Sequence, residues 1–222
     1  MEAYTIIISQ KHPKVKVSII CYNGFQFMKP THYIGIDEAG RGPLAGPVSV
    51  GVVKIPNNFD WDLIPDVNDS KKLTPEKRAA LYRRAKELKH TGQLDFAVAQ
   101  VGPSVIDGRG ISHAIRLATN RCIARLKLRP EHVTIRLDGS LSAPMQYDQA
   151  TIIKGDAIYP EIGLASIIAK ETRDAYMKRI ARRFSRYEFE VHKGYGTKAH
   201  REAIKRFGLS PIHRATYCKN CL

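Results

Sequence analysis

Short β-branched runs alternate along this chain with stretches whose apolar residues stand three and four apart, the pattern of strands interleaved with helices. Strands are predicted at residues 33–37, 48–55 and 95–101, in "HVTIRLDG", which gives out at Asp138-Gly139, and in "ATIIKGD". Thr74 as N-cap, Pro75 at the first helical position and Glu76 in the first turn open a helix that runs to about Leu88. Ile111, Ala114, Ile115, Ala118, Cys122 and Leu126 share one face of another, so Cys122 reads as a core residue. From about Pro160, "EIGLASIIAKETRDAYMKRIARRF" spaces Leu164, Ile167, Ile168, Ala175 and Ile180 along a long helix, and a final helix begins near Thr197. The expectation is an α/β fold, a mixed central sheet flanked by helices with a small helical C-terminal part.

Residues 1–32 read differently. "YTIII" and "VKVSIICY" are short β-rich runs on either side of "SQKHPK", followed by an Asn23-Gly24 turn, which fits a hairpin appended to a main domain at 33–217, with a short tail at 218–222. In this extension Lys11, Lys14 and Lys16 are expected to add nonspecific affinity for a polyanion.

Charge adds a partner class to the picture. Lysine and arginine number 36 against 21 acids, a formal net charge of +15 over 222 residues, which suits a partner dense in negative charge, nucleic acid first. Lys178, Arg182 and Arg186, four apart with Arg179 and Arg183 alongside, make one basic stripe on a continuous helix; a solvated face and a nucleic-acid contact are equal readings of it. An apolar fraction of 43% with 26% charged residues excludes a disordered chain. No run approaches the roughly 20 apolar residues of a membrane span, and "MEAYTIII" is too short and carries an acid for a secretory leader, so a cytoplasmic protein without a membrane partner is expected. Cys21, Cys122, Cys218 and Cys221 make a poor disulfide framework and suit a reducing compartment. Cys218 and Cys221 form one C-x-x-C, and since a structural zinc needs two further ligands the expectation is two unpaired thiols on a frayed tail.

The candidate chemistry lies in "YIGIDEAGRGPLAGP". Asp37 and Asp138 each stand where an apolar strand gives out, and ligand sites of open α/β sheets lie at the carboxyl ends of strands. If those strands are neighbours, the two carboxylates face each other at a cost that a cation between them relieves. Glu38, next along, has to swing back to join them. The glycine run lacks the Gly-Lys-Ser/Thr ending of a nucleotide-phosphate loop, but glycines at 40 and 42 permit close backbone approach to a polar ligand, with Arg41 at the rim. Asp174, one turn from both Lys170 and Lys178, is by spacing alone an ordinary surface ion-pair partner.

Taken together and in order, Asp37-Glu38, Gly40-Arg41-Gly42, Asp138-Gly139, "TRD" and "HKGYGT" closely resemble the ribonuclease HII family, which cuts RNA hybridised to or embedded in DNA. The resemblance spans roughly residues 33–217 and includes "DSKKLT", "KGD", "ASIIAK" and the late "HR". It implies an RNase H-like core in which Asp37, Glu38, Asp138 and Asp174 are the catalytic, metal-binding acids, which reverses the spacing-based reading of Asp174. It also implies that Gly40-Arg41-Gly42 contacts the ribonucleotide through its 2′-hydroxyl and that Tyr195 stacks on the following deoxyribose. The related ribonuclease HIII family typically carries a different loop after its acid pair, so Arg41 between two glycines favours HII. Residues 1–32 have no counterpart in the family core, Leu164 stands where alanine is usual, and Glu171 where valine is usual; only the first bears on function.

Four carboxylates suffice for two Mg²⁺ or Mn²⁺ ions about 4 Å apart, one activating water and one stabilising the leaving 3′-oxygen. Specificity over DNA needs the 2′-hydroxyl, which both donates and accepts. Lys71, Lys72, Lys154 and Lys193 are candidate phosphate contacts, each modest and salt-sensitive, and Asp156 is as well read as a supporting partner as a structural cap. The substrate is then an RNA–DNA hybrid or a DNA duplex with embedded ribonucleotides, cut by a monomer without an obligatory protein partner. A protein that grips hybrid duplexes without cutting, and a metal-dependent nuclease of the resolvase or integrase type, are the competing readings.

Overall fold

The computed structural model describes residues 30–67 and 72–221 together with two strands nearer the N-terminus, β1 (Tyr4–Ile7) and β2 (Val17–Cys21). The further strands are β3 (His32–Ala39), β4 (Val48–Pro56), β5 (Asp95–Val101), β6 (Val133–Asp138) and β7 (Asp148–Ile152). The helices are α1 (Pro75–His90), α2 (Pro103–Arg109), α3 (Ile111–Arg125), α4 (Pro160–Ala181), the single turn α5 (Phe189–His192) and α6 (Lys198–Phe207). The strands form one mixed sheet in the order β1-β2-β7-β6-β3-β4-β5; β6 runs parallel to both β3 and β7, and the other pairs are antiparallel. β1 and β2 pair with each other, and β2 continues the main sheet by pairing with β7.

Each face of the sheet has its own core. On one, Ile34 and Ile36 of β3, Val50 and Val52 of β4 and Ala97 and Ala99 of β5 meet Ala114, Ile115, Ala118 and Cys122 of α3, the apolar stripe predicted from the sequence. On the other, Leu81, Ala85 and Leu88 of α1 and Leu164, Ile167 and Ile168 of α4 pack against Val53 and Ile55. α4 lies unusually close to the sheet there, and two glycines are the cause. A Cβ on Gly35 would come within 2.2 Å of the Glu161 carbonyl, and one on Gly51 within 2.4 Å of the Ala165 carbonyl. Leu164, a departure from the family's usual alanine, is fully buried in this layer, and Glu171 accepts from Arg78 of α1 at 3.3 Å.

Three expectations need correction. α4 ends at Ala181 and a 3-10 turn follows at Ser185–Tyr187, so Arg182, Arg183 and Arg186 lie beyond the helix and the basic stripe is not one continuous helical face. α2 is absent from the sequence-based expectation: it lacks a side-chain N-cap and contains Gly108, which leaves Pro103 as its main start signal. As far as Cys221, the described part of the tail is packed rather than frayed. Cys218 and Cys221 are buried free thiols packed on Leu44 and Ile204, and burial pushes the Cys218 thiol up to about 11. Among the described residues no helix is long and apolar enough to cross a membrane.

Candidate active site

Parallel pairing of β3 with β6, in register up to Ile36 and Leu137, puts Asp37 and Asp138 next to each other where that pairing ends; β3 itself does not stop at Asp37 as expected but runs on to Ala39, with Glu38 still paired opposite Val50 of β4. Asp37 is 5% exposed and stands opposite Gly51 on the face that α4 covers. Burial first, then the Glu38 carboxylate and, more weakly, Asp138 hold its carboxyl well above the usual range, against hydrogen bonds from the Ser166 hydroxyl and the Glu38 N–H, the latter at 2.7 Å. Asp138 accepts at 2.7 Å from the N–H of Gly155, which comes this close because it has no side chain: a Cβ there would sit 2.7 Å from Ile162 Cδ1. Asp156 beside it is also buried.

The other two acids are held by cations of the chain itself. Arg41 Nε donates to Glu38 Oε1 at 2.8 Å, and Lys170 Nζ pairs with Asp174 at 3.0 Å, one turn along α4. The ion pair read from the spacing of Asp174 is therefore present, between Lys170 and a half-buried Asp174 on α4. Among the described residues no three acids, histidines or cysteines are already gathered closely enough to cage a cation. The donor set nevertheless fits hard divalent cations: oxygen ligands only, with a buried carboxylate that two neighbouring acids make costly to ionise.

The glycine loop divides its labour. Gly40 has a φ of +88°, and a Cβ there would run into the Arg173 guanidinium at 2.1 Å, so the protein's own packing demands glycine. Gly42 is exposed, its added Cβ would meet nothing within 4 Å, and it needs no left-handed backbone. What glycine leaves open at 42 is space outside the protein.

Two fully buried arginines, neither foreseen from the sequence, set the loop. Arg214 donates from Nε to Gly46 O at 3.0 Å, from Nη1 to Arg41 O at 2.9 Å and from Nη2 to Gly40 O at 2.7 Å. Arg173 donates to Pro47 O, Ala45 O and Lys193 O at 2.9, 3.0 and 3.0 Å, joining the glycine loop to the loop that carries Tyr195. Gly194 O closes the junction by accepting from Leu44 N at 2.9 Å and Ala45 N at 3.3 Å. Tyr195 is 42% exposed, with Lys170 Nζ 5.6 Å and Arg173 Cζ 5.7 Å from its ring centre. The residue types gave no warning: Arg173 and Arg214 read as two more basic residues in a basic chain, and only their neighbours in "TRD" and "HR" stood out.

The candidate lysines separate. Lys154 is exposed in a left-handed turn just after β7, on the residue before Gly155. Lys72 is exposed, and Lys71 lies outside the described residues, as do Lys11, Lys14 and Lys16. Lys193 donates to the carbonyls of Glu190 and Val191, closing the end of α5.

The family model for ribonuclease HII matches residues 34–220. A curated ribonuclease HII from Endomicrobium trichonymphae is 46% identical over 184 residues, 82% of this chain and 83% of that protein. Among solved structures, ribonuclease H2 from Pyrococcus horikoshii OT3 superposes with a TM-score of 0.65 at 27% identity, covering 86% of this chain and 96% of that one. A Bst ribonuclease HIII solved with Mn²⁺ shares the fold, with a TM-score of 0.62 at 17% identity over 82% of this chain and 64% of that one.

Proposed function

The chain belongs to the ribonuclease HII family and is a ribonuclease H acting on RNA–DNA hybrids, and from that premise we propose that it also cuts duplex DNA on the 5′ side of a single embedded ribonucleotide, leaving 3′-hydroxyl and 5′-phosphate ends. The observation that carries the reading is the juxtaposition of Asp37 and Asp138 where the β3–β6 pairing ends, close enough for Asp138 to oppose the ionisation of Asp37, beside a glycine loop whose exposed Gly42 faces open space.

In this reading Asp37, Glu38, Asp138 and Asp174 hold two divalent cations, Mg²⁺ or Mn²⁺, which when bound supply positive charge to the attacking water and the leaving 3′-oxygen. The Mn²⁺ complex of the ribonuclease HIII neighbour is in keeping with that donor set. Asp37 and Asp138 are the central ligands, fixed by β3 and β6. Glu38 and Asp174 join when Arg41 and Lys170 let go of them, and those two side chains are then free to meet phosphate. Backbone groups of Gly40 and Gly42 reach the 2′-hydroxyl, the group DNA lacks. Tyr195 stacks on the next sugar, where an extra hydroxyl would not fit. Lys72, Lys154 and Lys193 contact phosphates along the duplex, and the sequence alone gives Lys71 the same role.

The chemistry is tested on an RNA–DNA hybrid with Mg²⁺ or Mn²⁺, comparing the wild type with Asp138→Asn. We expect the variant to bind the hybrid but to cut it more than about 100-fold more slowly, beyond the roughly 10- to 100-fold lost when groups that only support a metal ligand are removed. Undiminished cutting by the variant would refute the role of Asp138.

A further inference from the structure

Beneath Tyr195 lies a buried unit of three histidines that nothing in the proposed chemistry uses. His192 and His200 stack with ring centres 4.2 Å apart at 16°, and His200 Nε2 meets His213 Nε2 at 3.0 Å. Phe189 and Tyr187 pack around them, and His192, His200 and His213 are 8%, 0% and 4% exposed.

Their tautomers can be read from the fixed groups at either end. The Ser210 hydroxyl, 2.7 Å from His213 Nδ1, can donate or accept, but the backbone N–H of Ser210 can only donate and meets the same nitrogen at 2.9 Å, which assigns it the lone pair and puts the proton of His213 on Nε2. His213 Nε2–H must then donate to His200 Nε2, which leaves the proton of His200 on Nδ1. The far end demands the same answer independently, because His200 Nδ1 meets the Tyr195 carbonyl at 2.8 Å, and a carbonyl can only accept. A second proton on either ring would set two N–H groups against each other, at the His200–His213 contact or at Ser210. His192 is fixed in the same way: the Gly194 N–H donates to its Nδ1 at 3.1 Å, and its Nε2–H donates to Tyr187 O at 2.6 Å.

We propose that this one-directional relay, from Ser210 through His213 and His200 to the Tyr195 carbonyl, with His192 gripping the next N–H upstream, is the device that positions Tyr195 against the substrate. The relay links two segments that flank α6 in the sequence, so the placement of Tyr195 depends on the turn at 210–213. His200 is a positioning residue: it touches no substrate and acts only through the Tyr195 backbone. The inference rests on the role given to Tyr195 above, and its test separates the two.

The first measurement is two-bond proton–nitrogen NMR of the full-length protein at neutral pH. It should find His200 as the Nδ1–H tautomer and His192 and His213 as Nε2–H tautomers; His200 as Nε2–H, or charged, overturns the relay. The second compares cleavage of a duplex with one ribonucleotide by Tyr195→Ala, His200→Asn, His200→Gln and the double variant Tyr195→Ala/His200→Gln. An Asn amide sits where Nδ1 does and donates to the Tyr195 carbonyl, whereas the Gln amide sits where Nε2 does and preserves more volume. The relay predicts that Tyr195→Ala lowers kcat/KM roughly tenfold or more, that His200→Asn falls less than His200→Gln, and that the double variant is no worse than Tyr195→Ala alone. A better enzyme with Gln than with Asn would mean that His200 only fills space, and additive losses would mean that it acts elsewhere; either overturns the proposal. An unchanged rate in Tyr195→Ala would instead overturn the role of Tyr195, and that of the relay with it, whatever the tautomers.

Discussion

At the residue scale the site trades stability for charge. Burial first, and then two neighbouring carboxylates, oppose the ionisation of Asp37, so this group makes the folded state less stable at neutral pH than below the ordinary carboxylate range. Asp37→Asn keeps the shape and removes the charge, and should raise stability in urea unfolding by on the order of 1 kcal/mol while abolishing metal-dependent cutting; a destabilised variant would contradict this electrostatic picture. Asp37 and Asp138 were legible in the sequence because strand periodicity stops at both. Arg173, Arg214 and the histidine unit were not, because what distinguishes them is burial against backbone carbonyls and rings from distant segments. Asp174 falls between: its spacing to Lys170 correctly reads as an ion pair, and only the resemblance assigns it to the site.

At the element scale, the function proposed for the glycine loop depends on how firmly it is fixed. Arg214 supplies donors to the carbonyls of Gly40, Arg41 and Gly46, so Arg214→Met leaves buried acceptors unpaired and should cost on the order of 3 kcal/mol, with a larger loss of ribonucleotide discrimination than of duplex binding. Equal losses of both would mean that the clamp serves stability alone. Elements were the most legible part of the chain: the predicted strand at 95–101 and the helix opened by Thr74-Pro75 stand as β5 and α1, since period and capping residues act locally. Where tertiary contact decides, the sequence was silent. The register that brings β3 beside β6, the close seat of α4 on Gly35 and Gly51, and the burial of Cys218 and Cys221 under the glycine loop all depend on partners far along the chain.

At the scale of the whole molecule, a net charge of +15 makes duplex binding steeply salt-dependent. Lys154→Gly removes one exposed charge at a left-handed position that glycine tolerates, and should lower the log–log salt slope of binding by about 0.9 if Lys154 meets a phosphate; an unchanged slope removes Lys154 from the duplex path. Folding has its own pH limit. Burial pushes His200 and His213 down to about 4, so the folded state favours their neutral forms. Stability from this pair is intact above the ordinary histidine value near 6.5 and drains away as pH falls from there toward 4, because only the unfolded chain takes up the protons. A chemical-denaturation series over that window should lose on the order of a few kcal/mol, and replacing His213 with a neutral residue should flatten the acid limb. The central claim, that carboxylates at two strand ends cut beside a sugar hydroxyl read by the glycine loop, meets its most direct test in one duplex. With Mg²⁺ or Mn²⁺, DNA carrying a single ribonucleotide should be nicked once, on the 5′ side of that residue, and the same duplex with a deoxynucleotide in its place should stay intact. Cutting of both duplexes alike, or of neither, would contradict it.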